Sequence, residues 1–130
     1  MPTIVPFYAS LLAVLYIFLS IRVIRMRVAN RIGLGDGSNP RLRRAIRVHA
    51  NFSEYVPLAL ILVAFVEMQQ ASPGLVHGLS LSLLIGRLIH SYAVSQEQEN
   101  VRLRVAGMVL TFVTIGGAAL RLLVAFLAGL

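Results

Sequence analysis

RLRRAIRVHANFSEYVPLALILVAFV, residues 41–66, decides the fold. Its first half repeats polar residues at helical intervals, at Arg43, Arg44, Arg47, Asn51 and Glu54. Its second half, from Val56 to Val66, is apolar throughout. No soluble strand or surface helix has that form; it describes a helix that begins in water and sinks into a bilayer. Asn39-Pro40 stands just before it, a cap residue followed by proline at the first helical position, which fixes where the helix starts.

Working outward, the rest of the chain is as apolar. Of its 130 residues 58% are hydrophobic and 13% charged, which is too apolar for an ordinary soluble domain of this size. A spanning helix needs about 20 apolar residues, so the spacing predicts a single all-α membrane domain of four transmembrane helices. These run over about 4–25, 40–69, 75–95 and 102–129. A turn-rich loop at 33–40, a short hairpin at 69–74 and a polar loop at 96–100 join them. With no internal repeat, an inverted-repeat transporter is disfavoured.

The formal charge of +7 is carried by arginine alone. A GC-rich genome explains arginine in place of lysine but not its placement: eight of the twelve lie between Arg22 and Arg47. Fixed at a membrane edge, that cluster follows the positive-inside rule rather than the pattern of a nucleic-acid surface, so no nucleic acid is expected as partner. The rule puts both larger loops in the cytoplasm and both termini outside. The start, Met1-Pro2-Thr3-Ile4, has no basic region ahead of Leu11–Ile21, so helix 1 is expected to be retained rather than cleaved. With no cysteine, thiolate metal sites and a protein thiol nucleophile are excluded.

Arg47, Asn51 and Glu54 are spaced i, i+4, i+7 and form one polar stripe. Arg87 and His90 share a face of helix 3, with Ser91 beside them. Counted from the hairpin centre at Ala71, Glu54 lies 17 residues before and Arg87 16 after, while Asn51 is level with His90 and Ser91. Both charges then lie about 25 Å along their helices, inside a hydrocarbon layer of about 30 Å. The expectation is a buried Glu54–Arg87 ion pair, within one subunit or across an interface, against the alternative that these groups are only polar glue between helices. Glu67 and Arg121, near the far face, are expected to be glue. Pro57, three residues after Glu54, predicts a kink that can open space beside the stripe.

The run from Arg44 to Leu58, with Arg47, Asn51, Glu54-Tyr55 and Pro57 at their spacing, resembles the helix-2 signature of the MAPEG superfamily, the membrane-associated proteins of eicosanoid and glutathione metabolism. Gly86-Arg87-Leu88-Ile89-His90 resembles the helix-3 motif of its microsomal glutathione transferases and prostaglandin E synthase. The similarity covers nearly the whole chain and is greatest to the short bacterial branch, which implies an inner-membrane location. The resemblance implies a homotrimer binding glutathione in clefts between subunits near the cytoplasmic face, through Arg47, Asn51, Glu54, Tyr55, Arg87 and His90. It implies that an arginine at the start of helix 4, Arg104 or alternatively Arg102, stabilises the glutathione thiolate, with no metal. The thiolate would attack lipophilic electrophiles or hydroperoxides arriving from the bilayer, making the chain a glutathione transferase with peroxidase activity as a further expectation. The alternative is a non-catalytic member that binds lipid or a partner protein. One position departs from the pattern: the family commonly carries tyrosine four residues after His90, where this chain has Val94. Tyr92, the nearest tyrosine, points about 160° away on a regular helix.

Overall fold

The computed structural model describes residues 1–129. Asn39 begins the second helix as its sequence position predicts. Its side chain accepts from the Arg41 and Leu42 amides at 3.0 and 3.1 Å, satisfying donors that a helix start leaves unpaired. From there α2 runs unbroken over Pro40–Met68, passing through Pro57. The other helices are α1 (Ile4–Asn30), α3 (Pro73–Ser95) and α4 (Val101–Leu127). Among the described residues there is no strand.

The helix bounds agree with the sequence reading except at the end of α1, which continues about a turn beyond residue 25 to Asn30. Arginine is a good helix former, and nothing stops the chain until Arg31 turns left-handed at φ 55°. There the Ile32 amide donates back to the Arg27 carbonyl, the usual closure of a helix by a left-handed residue. At 27 residues α1 is about 40 Å long, so its arginine-bearing turns extend past a hydrocarbon layer of about 30 Å.

The four helices form one bundle in which α2 and α3 are central. Each touches the other and both outer helices, whereas α1 and α4 do not touch among the described residues. Leu12, Leu19, Val48, Phe52, Val56 and Leu83 pack one half of the core; Val5, Val63, Val66, Val76 and Leu79 pack the other. Large apolar side chains such as Phe18, Ile17, Phe112, Leu120 and Leu123 face outward. That inversion of the soluble pattern suits lipid as solvent. Three helices, α1, α2 and α4, are long and apolar enough to cross a membrane. The remaining helix, α3, spreads polar groups along its length and turns several of them inward: Ser80, Arg87, His90 and Ser91 are all buried.

The most extensive helix pair, α3 with α4, is set by two glycines. A methyl added at Gly107 would lie 2.7 Å from the Gly86 carbonyl oxygen and 2.8 Å from the His90 backbone nitrogen. Small residues let membrane helices approach this closely, and here the approach brings α4 directly against His90. At the opposite end of the bundle Glu67 accepts from the amides of Thr3, Ile4 and Val5 at 2.6–2.9 Å. The carboxylate therefore ties α2 to the start of α1, where the helix dipole favours an anion. Glu67 does act as glue, but toward α1 rather than Arg121.

Candidate functional site

Arg87 is completely buried, and among the described residues it has no carboxylate within ion-pair distance. Its charge is instead shared among neutral groups. Nη2 donates to Asn51 Oδ1 at 2.6 Å and meets His90 Nδ1 at 3.1 Å. Nη1 points to Thr111 Oγ1 at 3.4 Å and the Met108 sulfur at 3.8 Å, and the guanidinium carbon stands 5.9 Å from the Phe52 ring centre. Because a guanidinium only donates, His90 Nδ1 must accept, and the neutral imidazole then carries its proton on Nε2.

The expected Glu54–Arg87 pair is not formed. Glu54 lies on the outer side of α2, its side chain 53% exposed, 3.9 Å from Arg47, which is 60% exposed. Since Arg87 is wholly enclosed by its own chain, a neighbouring subunit's carboxylate has no approach to it either. Two physical features explain the correction. Along the axis, the long arginine side chain reaches toward the arginine-rich end and meets Asn51, about one turn beyond Glu54. Around the axis, residues at i and i+7 differ by only about 20°, whereas Asn51 is displaced by about 40° from Arg47 and 60° from Glu54. The stripe therefore divides into an outward Arg47–Glu54 edge and an inward Asn51.

Above this layer, at the arginine-rich end, α2, α3 and α4 enclose a cavity of about 510 Å³. Arg43, Arg44, Arg47 and Arg104 line it with a single carboxylate, Glu99, and its wall includes Asn51, His90, Val94 and Met108. Four cations to one anion give its lining a positive excess and so capacity for anions, part of which is taken up from outside the lining by Asp36 on Arg43 and by Glu54 beside Arg47. Glu99 occupies part of that capacity, accepting from Arg104 at 2.7 Å and lying 3.4 Å from Arg44. Arg44 also donates to the Val94 carbonyl, so Val94 contributes its backbone to the cavity. Tyr92 lies apart from the cavity, 62% exposed.

Of the residues expected from sequence, Arg47, Asn51, His90 and Arg104 line the cavity, and Arg87 lies behind Asn51 and His90. Glu54 and Tyr55 are outside its lining, with Tyr55 edge-on to Phe112 at 5.6 Å. Arg102 is exposed and also outside it. The helical period separates the two arginines: Arg104 lies about 60° around α4 from the inward Gly107 and reaches the cavity with its side chain 45% exposed, while Arg102 lies about 140° from it. Arg43, Arg44 and Glu99 were not expected in the site. The signal for Glu99 was present, an acidic residue in the loop that returns the chain to the arginine-rich end.

The MAPEG family model matches residues 5–124. The chain belongs to the MAPEG family. Among its relatives is the inner membrane protein YecN of Escherichia coli strain K12, 44% identical over 85 residues, a match covering 65% of each chain. YecN of the O6:H1 strain matches equally. The aligned part thus spans just under two thirds of these relatives' length. In this MAPEG chain Asn51 of the helix-2 motif meets Arg87 and His90 of the helix-3 motif at one end of the bundle, joined through the Arg87–Asn51 bond, while Glu54 and Tyr55 stay outside.

Proposed function

We propose that this MAPEG protein is a glutathione transferase of the bacterial inner membrane, with all four helices crossing the bilayer, the arginine-rich loop in the cytoplasm and both termini outside. The observation that carries the reading is the cavity lined by four arginines and one carboxylate at the end of a membrane bundle. Glutathione brings two carboxylates and an ammonium. Arginine's planar fork suits the carboxylates, the second lone pair of Asn51 Oδ1 offers an acceptor for the ammonium, and Glu54 would add a carboxylate only from the outer edge, where a neighbouring subunit closes the cleft. Arg104, at the start of α4, is the cation for the thiol: a positive charge beside sulfur favours the thiolate and raises its reactive fraction. The thiolate then forms a carbon–sulfur bond to a lipophilic electrophile from the bilayer and expels its leaving group. With a hydroperoxide it cleaves the O–O bond, releasing the alcohol and a glutathione sulfenic acid that a second glutathione converts to disulfide and water.

The outward Arg47–Glu54 edge supports a homotrimer. Charges facing hydrocarbon are costly, and a cleft between subunits would cover this pair and bring it to the same ligand. The inner-membrane location is supported by the name of the E. coli relatives. A second reading, a member that binds its ligand without activating it, is favoured by Val94 at the tyrosine position and by the Glu99 carboxylate already bound to Arg104.

Calorimetric titration of the detergent-purified protein with glutathione, followed by addition of an aryl-halide electrophile, tests the proposal. Saturable binding and turnover are expected. Binding without turnover would favour the second reading, and absence of binding would remove the glutathione site.

A further inference from the structure

A second groove, of about 330 Å³, lies between α1 and α3 and shares no lining residue with the arginine-lined cavity. Its apolar walls include Phe18 and Leu88, 60% and 49% exposed. Toward the arginine-rich end it is lined by Arg22, Ser91, Tyr92 and Ser95. Arg22 is half-buried and belongs to no ion pair among the described residues. Of its five donors, one is used on Ser95 Oγ at 2.6 Å. The Ser95 hydroxyl proton goes to the Ser91 carbonyl, and the Ser91 hydroxyl, on a residue only 6% exposed, has no partner. The groove therefore combines a cation without a counter-ion, a buried hydroxyl without an acceptor and an apolar channel along the outer face of the bundle.

A soluble anion satisfies the first two features and leaves the channel empty. A zwitterionic lipid fills the channel, but its ammonium finds no carboxylate along the groove. We propose that this groove binds an anionic glycerophospholipid, with the phosphate on Arg22 and Ser91 and an acyl chain against Phe18 and Leu88. The position fits the end of α1 where its arginines leave the hydrocarbon. Tyr92 adds a phenol at a depth where such rings are enriched. Nothing in this site depends on thiol chemistry.

Native mass spectrometry of the detergent-solubilised protein, with equal amounts of phosphatidylglycerol and phosphatidylcholine, reads the preference. The wild type is expected to retain phosphatidylglycerol about fivefold better, the size of one arginine's interaction with anionic lipid. Arg22→Gln should abolish the preference. Arg25→Gln, the same charge change at an exposed position outside the groove, should keep it. Leu88→Trp, which fills the channel and leaves Arg22 intact, should displace the lipid, and it decides the matter if Arg22→Gln does not fold. Equal retention of the two lipids by the wild type, an unchanged preference in Arg22→Gln, or retention by Leu88→Trp would overturn the proposal. So would loss of the preference in Arg25→Gln, or full displacement of phosphatidylglycerol by excess inorganic phosphate.

Discussion

Arg87 and Asn51 are joined at 2.6 Å across the α2–α3 interface, and this bond takes the place that a carboxylate would be expected to fill. The buried guanidinium is balanced by an amide oxygen, a histidine nitrogen, a hydroxyl and an aromatic face. The two carboxylates nearest the site, Glu54 and Glu99, are left to the outer edge and to the cavity.

Asn51→Leu should therefore destabilise the protein more than Glu54→Gln. A hydrogen bond to a charged group contributes about 2 kcal/mol, and its loss leaves the buried Arg87 poorly compensated. The half-exposed Arg47–Glu54 contact, at 3.9 Å, contributes about 0–1 kcal/mol. Thermal unfolding in detergent measures both, and equal losses would show that Arg87 does not depend on Asn51.

Gly107→Ala should lower stability by about 1–3 kcal/mol, because its methyl would push α4 away from the Gly86 and His90 backbones. Gly116→Ala, with nothing within 4 Å of the new methyl, is expected to be neutral or to gain up to about 1 kcal/mol from helix propensity. The same unfolding assay separates them; comparable effects would argue against close α3–α4 packing.

Glu99→Gln should tighten glutathione binding by about two- to fivefold, the range set by releasing a partly exposed ion pair. It frees Arg44 and Arg104 from the carboxylate they share. Calorimetric titration reads the change. Weaker binding would mean that Glu99 holds the ligand rather than competing with it.

In the loop before α2, the Arg43 guanidinium and then the Ser38 amide hold the Asp36 carboxyl below its ordinary value of 3.8. A depressed folded value means that this contribution to loop order is present above the unfolded value and lost as pH falls through the folded one. The protection of the Ser38 amide against hydrogen exchange, its rate relative to that of the free chain at the same pH, should hold across the neutral range and fall only below 3.8, since that amide donates to Asp36 at 2.9 Å. Asp36→Asn should remove the pH dependence of that protection; its loss already near neutrality would contradict the assignment.

The layer of the site was legible in the sequence because depth along paired helices follows from counting residues. That arithmetic put Asn51 level with His90 and Glu54 level with Arg87, about a turn away, and the 2.6 and 3.1 Å contacts show Arg87 reaching across that turn to the Asn51–His90 level. Azimuth was harder. Arg47, Asn51 and Glu54 share a stripe wide enough to have two edges, and only packing against α3 selects Asn51 for Arg87. Local sequence marked the cap at Asn39-Pro40 well, since capping is local chemistry, but α1 was ended too early because arginine supports a helix in water as well as at a membrane edge. Glu99 could not be assigned from its own neighbours. Its partners Arg44 and Arg104 come from two helices whose ends meet only in the folded bundle.

The central claim is that Arg104 faces the thiol in a glutathione site, and the ultraviolet absorbance of the thiolate tests it most directly. Glutathione added to the wild-type protein at neutral pH should produce a saturable thiolate signal. Arg104→Gln should abolish that signal while glutathione still binds, and Arg102→Gln should leave it intact. No thiolate signal in the wild type, or a full signal in Arg104→Gln, would contradict the claim.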